Sequence, residues 1–179
     1  MPQPDRTALF STASSQEGYF TTEQAVEAGY SRPLLDHHLH SGRFRRVRRG
    51  VYRLVEFPSG EHEDLVVAWL WSGRTGVFSH ETALALHGLS DALPARHHLT
   101  VPSSWARRRL RVPEGLRLHF ADVGGAETTW VGPVPVTVAG RTLRDCVADH
   151  VSPDLVAQAV RDGLARGLFT TDDVPAGAG

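Results

Sequence analysis

Two short helices with very little chain between them constrain the fold of the first third of the sequence more than any other feature. Thr21 is followed at capping-box spacing by Gln24, and Gly29 suits the position just beyond a helix end. Ser31 can then cap a second helix that runs to Gly42. Because so short a connection forces a large angle between the two helices, the pattern predicts a helix-turn-helix motif.

A basic hairpin is predicted immediately after this motif. Between residues 43 and 54 apolar side chains alternate imperfectly with arginine, and the turn at residues 48–50 ends on a glycine, which tolerates positive φ. Ahead of the motif, residues 5–15 suit a short helix and residues 19–20 a short strand. The inward side of that first helix is expected to consist of Ala8, Leu9 and Ala13. Helices followed by such a hairpin predict a winged helix-turn-helix domain.

The remainder of the chain has the pattern of a second, α+β domain. Residues 57–61 combine proline, serine and glycine with a change to acidic charge, which indicates a linker. Helices are expected at 65–71, at 79–88 with Ser79 as cap, from Thr142 and from Ser152, and strands at 98–101, 116–120 and 134–138. The predicted α+β organisation is a winged helix-turn-helix domain over residues 1–56, a linker over 57–61, an α+β domain over 62–174 and a flexible tail over 175–179.

Positive charge is concentrated in the predicted helix-turn-helix and wing. The 179 residues include 19 basic and 20 acidic side chains, and every basic one is arginine. Between Arg32 and Val55, however, seven arginines face one acid, Asp36, a local balance of +6. Guanidinium groups crowded on one hairpin repel one another unless an anion lies between them, and arginine suits bidentate bonds to phosphate. The sequence therefore predicts a surface for a polyanion.

The residues expected to contact DNA lie on the second helix of the motif and on the hairpin. The helix side opposite Leu35 and Leu39 would approach the groove, and the hairpin arginines would bind phosphates. The candidate DNA contacts are Ser31, Arg32, His37, His40, Arg43, Arg45, Arg46, Arg48 and Arg49. About five engaged phosphates would give a log–log salt slope of about −4 to −5. The alternative interpretation is a solvated surface helix beside a charged loop.

A second basic cluster occurs in the predicted α+β domain. It consists of Arg107, Arg108, Arg109 and Arg111. This cluster could extend the nucleic-acid surface or meet an acidic protein. A solvated turn between strands is the other interpretation that the sequence leaves open.

The histidines do not form a recognisable metal motif. His37 and His40 are neighbours on one helix beside His38, but no third ligand is well placed apart from an aspartate. His80 and His87 lie two helical turns apart, too far to share one tetrahedral ion. We therefore predict no metal site and no cofactor.

Catalysis is not indicated either. No phosphate-binding glycine loop or nucleophile motif is present in the sequence. The single cysteine, Cys146, falls on the apolar side of its helix, where a buried inert thiol is expected. Asp145 and Asp149 are one turn apart and could hold a hard cation, but no basic group or third carboxylate motif attends them. We predict no catalytic residue.

Hydropathy predicts neither a membrane span nor a secretion signal. The longest apolar run, at residues 65–71, is far shorter than the roughly 18 residues that a spanning helix needs. The amino terminus has no basic stretch followed by an apolar one. A lone cysteine also suits a reducing compartment, so we expect a cytoplasmic protein.

Beyond these patterns, the sequence resembles a known family over nearly its whole length. The segment FTTEQAVEAGYSRPLLDHHLHSGRFRRVRRGVYRL (Phe20–Leu54), the helix SHETALALHGL (Ser79–Leu89) and then HHLTVP (His97–Pro102) follow one another as in AbiEi-type antitoxins of type IV toxin–antitoxin and phage-defence systems. The resemblance implies a winged-helix repressor that binds inverted repeats of double-stranded DNA before its own operon. It also implies a second domain that neutralises a nucleotidyltransferase toxin.

Residue by residue, the resemblance marks one group of side chains as DNA contacts. These are Ser31, Arg32, Arg45, Arg46, Arg48 and Arg49. One departure is His38, which lies on the Leu35 side of the helix where an aliphatic residue would be expected. Pro33 and the histidines also stand where more basic residues are common. The wing contacts are therefore expected to matter more than those of the helix.

The expected function is that of an antitoxin and autorepressor without catalysis, cofactor or membrane association. It would act as a monomer or weak dimer that binds DNA cooperatively. One alternative is an orphan winged-helix regulator, and another is an interaction module whose α+β domain sequesters a partner. A small nuclease that uses Asp145 and Asp149 is the third.

Overall fold

The computed structural model describes residues 3–178, which form two compact units. The first unit ends at Arg74 and the second begins at Thr75. Both units combine helices with a sheet, and the first begins with a winged helix-turn-helix, so the predicted α+β class is confirmed. No helix among the described residues has the length and apolar character that a membrane crossing requires.

The first unit has the element order of a winged helix followed by one more helix. Its elements are α1 (Arg6–Ser14), β1 (Tyr19–Thr21), α2 (Thr22–Glu27), α3 (Arg32–His40), β2 (Phe44–Arg48), β3 (Val51–Leu54) and α4 (Glu63–Trp71). The strands form an antiparallel sheet in the order β1-β3-β2. Helices α2 and α3 form the helix-turn-helix, and strands β2 and β3 form the wing.

Local signals in the sequence set the bounds of α2 and α3. The Thr21 side chain accepts a hydrogen bond from the Gln24 backbone N–H, and the Gln24 side chain accepts one from the Thr21 N–H. Gly29 adopts a φ of +83°, which ends α2. The Ser31 hydroxyl then accepts a hydrogen bond from the Leu34 N–H and begins α3. The predicted capping box and the tight turn are both present.

One apolar cluster holds the helices against one face of this sheet. Leu9 of α1 and Leu35 of α3 are buried with aromatic side chains from the strands. The Phe20 ring meets the Phe44 ring edge-on at 5.0 Å and stacks on Tyr52 at 5.7 Å between ring centroids. These contacts join α3 and the wing to one apolar core.

Two details of this unit differ from the sequence expectation. Ala8 is exposed, because Leu9 and Ala13, four residues apart, define the buried side of α1 and Ala8 lies off that side. Helix α4, expected in the second domain, packs instead on β1 and β3. Its residues 65–70 are all buried, and the division into units falls after Arg74, later in the chain than the predicted linker at 57–61.

The second unit is built on a mixed sheet of five strands. Its elements are β4 (Val77–Phe78), α5 (His80–His87), β5 (His97–Val101), β6 (Leu116–Phe120), β7 (Thr128–Val131), β8 (Val134–Thr137), α6 (Ala139–Ala148) and α7 (Pro153–Ala165). The strand order is β6-β5-β4-β8-β7, with β5–β6 and β4–β8 parallel and the other two pairs antiparallel. Helix α6 packs between α5 and α7 around Leu84, Leu143 and Val156.

Several local predictions for this unit need correction. Strands β4 and β7 were not predicted, because β4 spans only Val77–Phe78 and residues 128–131 do not alternate clearly between apolar and polar. Helix α6 begins at Ala139, so Thr142 lies inside it, where the hydroxyl donates to the Val138 carbonyl instead of capping the helix.

The end of the chain also differs from the predicted flexible tail. Ala178 is buried in the apolar cluster that contains Cys146 and Phe169. Val174 packs against the same cluster. The tail therefore contributes to the core of the second unit, while Gly179 lies outside the described residues.

Candidate nucleic-acid interface

Helix α3 presents one apolar side to the core and one polar side to solvent. Leu35 is buried at the centre of the helix. Arg32, His37 and His40 are exposed on the other side, together with the acid Asp36. The predicted separation of α3 into an apolar side and a polar side is therefore present, and the candidate base contacts lie on the polar side.

The candidate contacts on α3 differ in whether their polar atoms already form hydrogen bonds within the chain. The Ser31 hydroxyl is engaged as the helix cap. His40 places Nδ1 at 2.7 Å from the Asp36 carbonyl oxygen, which holds the ring against its own helix. Arg32 and His37 are exposed without such a contact among the described residues. Arg32 and His37 therefore have the greatest freedom to reach a groove.

His38 belongs to the core side of α3, as its position in the sequence predicted. Its ring lies 4.7 Å from the Phe44 ring and 5.7 Å from the Tyr30 ring, measured between centroids. Burial, followed by the charge of Arg43, lowers the pKa of His38. A neutral aromatic ring thus replaces the expected aliphatic side chain in the contact between α3 and the wing.

The arginines of the wing project into solvent without internal partners. These exposed side chains are Arg43, Arg45, Arg46, Arg48 and Arg49. Within residues 3–178, none of them forms an ion pair with a carboxylate. Their positive charge is therefore not neutralised by the described carboxylates, and phosphate binding by these side chains stays a prediction.

Arg53, also counted in the basic segment, has a structural role instead. It is 7% exposed, and its guanidinium donates to the Phe57 carbonyl at 2.9 Å and to Glu63 Oε1 at 3.0 Å. Burial alone would raise the pKa of Glu63, but hydrogen bonds from Gly60 and Tyr19 and the charge of Arg53 lower it overall. Arg53 therefore fixes α4 to the sheet and does not add to the surface charge.

Strand register separates the wing arginines between two faces. Arg45 pairs across the ladder with the buried Arg53, and Arg46 pairs with Tyr52. Successive residues of a strand point to opposite faces of a sheet. Because Tyr52 packs in the cluster that holds Leu35 of α3, Arg46 lies on the face that packs on α3, and Arg45 lies on the face where Arg53 binds α4. The two neighbours are therefore not equivalent as DNA contacts.

The second basic cluster lies in the second unit, at the end of a 3-10 helix (Ser103–Arg107) and in the loop that follows. Its exposed members are Arg107, Arg108, Arg109 and Arg111. The Arg108 guanidinium lies 4.7 Å from the centre of the Trp105 ring. Within residues 3–178, no carboxylate pairs with these arginines, so this cluster remains a prediction of a binding surface.

The acidic pair of the second unit is engaged in ion pairs. Asp145 Oδ1 accepts from Arg141 at 2.8 Å, and Asp149 Oδ2 lies 2.9 Å from Arg117. The expectation that no basic group attends these acids was therefore wrong: Arg141 lies one helical turn before Asp145, and Arg117 comes from a strand distant in sequence. The predicted burial of Cys146 is confirmed, and burial, followed by the nearby Asp145, raises the pKa of its thiol to about 12.

One group of side chains was not predicted from the sequence. His80, His98 and His119 converge in the second unit from α5, β5 and β6. His87 does not take part, because its Nε2 contacts the Thr137 carbonyl oxygen at 2.7 Å. The spacing of His80 and His87 in the sequence does not indicate this cluster, because the rings that meet His80 belong to strands and not to its own helix. The parallel pairing of β5 and β6 brings them together.

Comparison with known proteins finds one similar solved structure and one matching family. The crystal structure of RV2827C protein from Mycobacterium tuberculosis is similar, with a TM-score of 0.53, 15% identity, and coverage of 90% of this chain and 68% of that one. Identity this low shows the fold alone. No curated protein matches the sequence. Residues 8–55, the winged helix-turn-helix, match the family described as "Transcriptional regulator, AbiEi antitoxin", which confirms the predicted resemblance over that segment.

Proposed function

We propose that this chain is a transcriptional repressor that binds double-stranded DNA and serves as the antitoxin of a type IV toxin–antitoxin system. The observation that carries this proposal is the set of exposed wing arginines that no described carboxylate neutralises. The family matched by residues 8–55 supports the same function. Binding to chromosomal DNA would place its action in the cytoplasm.

In the proposed mechanism, the wing supplies affinity and α3 supplies sequence preference. Arginines of the wing bind phosphate oxygens, which releases counterions from the duplex. Arg32 and His37 approach base edges from the exposed side of α3. A monomer or weak dimer on each inverted repeat before the operon would occlude the promoter and repress its own synthesis.

The antitoxin part of the proposal concerns a nucleotidyltransferase toxin encoded beside this chain. Neutralisation would need no catalysis by the antitoxin, and the acids and the thiol that the sequence offered as catalytic candidates are engaged or buried. Asp145 and Asp149 are engaged by arginines, and the Cys146 thiol is buried. Phage defence would follow from release of the toxin during infection.

Fluorescence anisotropy with duplex DNA tests the repressor function. A labelled duplex from upstream of the coding region should bind more tightly than a scrambled duplex of the same length and composition. The wild-type chain should also repress a reporter fused to that region, and the Arg45, Arg46, Arg48 and Arg49 to alanine variant should not. Equal affinity for the upstream and scrambled duplexes would contradict an operator-specific repressor.

A protein-interaction function is the second candidate, and the exposed cluster at residues 107–111 favours it. Co-expression with the neighbouring toxin separates the two functions. If the second unit neutralises the toxin, the wing variant should still protect cells although it no longer represses. Loss of protection on substituting the cluster Arg107, Arg108, Arg109 and Arg111 by alanine, with DNA binding intact, would assign that cluster to the partner.

A further inference from the structure

The histidine cluster of the second unit has the dimensions of a metal site. His80 begins α5, and His98 and His119 lie on β5 and β6. One ring nitrogen of each lies within 4.8 Å of the others, and His98 Nδ1 lies 3.1 Å from His119 Nε2. Zinc–nitrogen bonds of about 2.0–2.1 Å in a tetrahedron place ligand nitrogens roughly 3.3 Å apart. The His98–His119 pair already has that spacing, and the His80 ring must tilt to bring its nitrogen to it.

The remaining ring nitrogens of two of these histidines already have partners. His98 Nε2 lies 3.4 Å from Glu81 Oε2, and His80 Nδ1 lies 2.8 Å from the Ser79 hydroxyl. Ser79 is in turn 2.7 Å from the Thr100 hydroxyl. Metal-binding histidines characteristically use the second nitrogen in this way, because such a contact fixes the tautomer and the ring orientation. Ser79, predicted as a helix cap, makes this contact in place of a capping bond.

The backbone at His80 is strained. Its φ is +53°, in the left-handed region that residues with a side chain seldom adopt. Strain of this kind occurs preferentially at functional sites. The conformation places the His80 ring parallel to the His119 ring at 3.6 Å between centroids. These two rings must tilt for both nitrogens to point at one ion.

The cluster is accessible from solvent. His80 and His119 line an open cleft of about 430 Å³. An ion held by the three rings would therefore be reachable through this cleft.

We propose that His80, His98 and His119 bind one Zn²⁺ ion, with a water molecule from the cleft as the fourth ligand. Imidazole ligands suit zinc and its neighbours among the divalent transition metals. Three protein ligands with an open fourth position leave the ion accessible to the cleft. The proposed site lies in the second unit and does not depend on DNA binding by the wing.

Titration of the full chain with Zn²⁺ is the direct test, after removal of any affinity tag and dialysis against a chelator. Competition with a chromophoric chelator should show one ion per chain, and Zn²⁺ should raise the melting temperature. Substitution with Co²⁺ should give the intense visible absorption of a four-coordinate ion. Failure of the wild-type chain to bind one equivalent would overturn the proposal without requiring any variant.

Variants identify the ligands. His119→Gln, at a partly exposed position, should lower zinc affinity by about 100-fold or more and abolish the Co²⁺ spectrum, and Glu81→Gln should lower affinity by about 10- to 100-fold. His97→Gln, which changes the neighbour of His98 on the same strand, is the matched control and should bind like the wild type. Circular dichroism and urea unfolding establish that each variant is folded.

Adventitious binding by the exposed histidines of α3 has a separate control. The double variant His37→Gln and His40→Gln should retain the one-to-one site. Loss of zinc binding in this variant, or its retention in folded His119→Gln, would overturn the proposal.

Discussion

The arginines of the wing and those of helix α6 have opposite surroundings. In the wing, Arg46 and its neighbours are exposed and unpaired among the described residues. In the second unit, Arg141 donates to Asp145 at 2.8 Å and also pairs with Glu127, while Arg144 donates to Glu127 at 3.0 Å. The difference lies in whether a carboxylate of the same chain neutralises the guanidinium group. Arginine neutralised within the chain supports the fold, and arginine left without a carboxylate is available to an external anion.

The largest expected effect concerns DNA affinity. Replacing Arg45, Arg46, Arg48 and Arg49 by alanine should weaken binding by about 1,000-fold near 0.1 M salt, since each lost phosphate contact costs about tenfold and Arg45 lies on the less favourable face. Anisotropy titration with the upstream duplex measures this loss.

A matched variant removes the same charge from the other unit. Alanine at Arg107, Arg108, Arg109 and Arg111 should change DNA affinity by less than about tenfold if the wing is the binding surface. Equal losses in the two variants would show that net charge, rather than the wing, determines binding.

The next effect concerns stability. Arg141→Ala removes the guanidinium shared by Asp145 and Glu127, and the Arg141 side chain is only 15% exposed. We expect a loss of about 2–3 kcal/mol in the free energy of unfolding. Arg48→Ala should change it by less than about 0.5 kcal/mol. Urea denaturation compares the two, and equal destabilisation would remove the distinction between paired and unpaired arginines.

Within the wing, arginines on the two faces of the sheet should contribute unequally to DNA affinity. Arg46→Ala should weaken DNA binding by about tenfold, because Arg46 lies on the sheet face that packs on α3 and one phosphate contact is lost. Arg45→Ala, on the opposite face, should weaken it by no more than about threefold. Anisotropy under identical salt conditions gives the ratio. A greater loss for Arg45→Ala would mean that the wing meets DNA through the other face.

The smallest expected effect is a change in the pH dependence of stability. It tests the ion pair between Arg53 and Glu63 in the first unit. Because hydrogen bonds and Arg53 lower the pKa of Glu63 in the folded chain, its carboxylate stabilises the fold above the pKa of the unfolded state. That contribution is lost as pH falls through the folded pKa. Wild type should therefore lose stability more steeply than Glu63→Gln between about pH 5 and pH 3. Parallel curves would mean that the ion pair contributes nothing.

The first unit was largely predictable because its signals are local. Thr21, Gln24 and Gly29 mark a helix within one stretch of sequence, and the wing follows as a hairpin. Long-range contacts were not visible. In the sequence, Arg53 resembles the other arginines of the wing. Its hydrogen bond to Glu63 of α4 is visible only in the structure.

The histidine cluster of the second unit also depends on long-range contacts that the sequence does not reveal. His80, His98 and His119 meet because of a helix start and a parallel strand register, and neither follows from spacing. The DNA contacts themselves could be proposed from sequence because charge concentrated in one short segment needs no tertiary information. Their assignment to particular faces required the strand pairing.

The salt dependence of DNA binding tests the central claim most directly. For the wild-type chain, the slope of log affinity against log salt concentration should be about −4 to −5, as five engaged phosphates require. The variant with alanine at Arg45, Arg46, Arg48 and Arg49 should give about −2, since about three of those contacts are lost. A wild-type slope shallower than about −2, or an unchanged slope in the variant, would contradict a phosphate-binding wing.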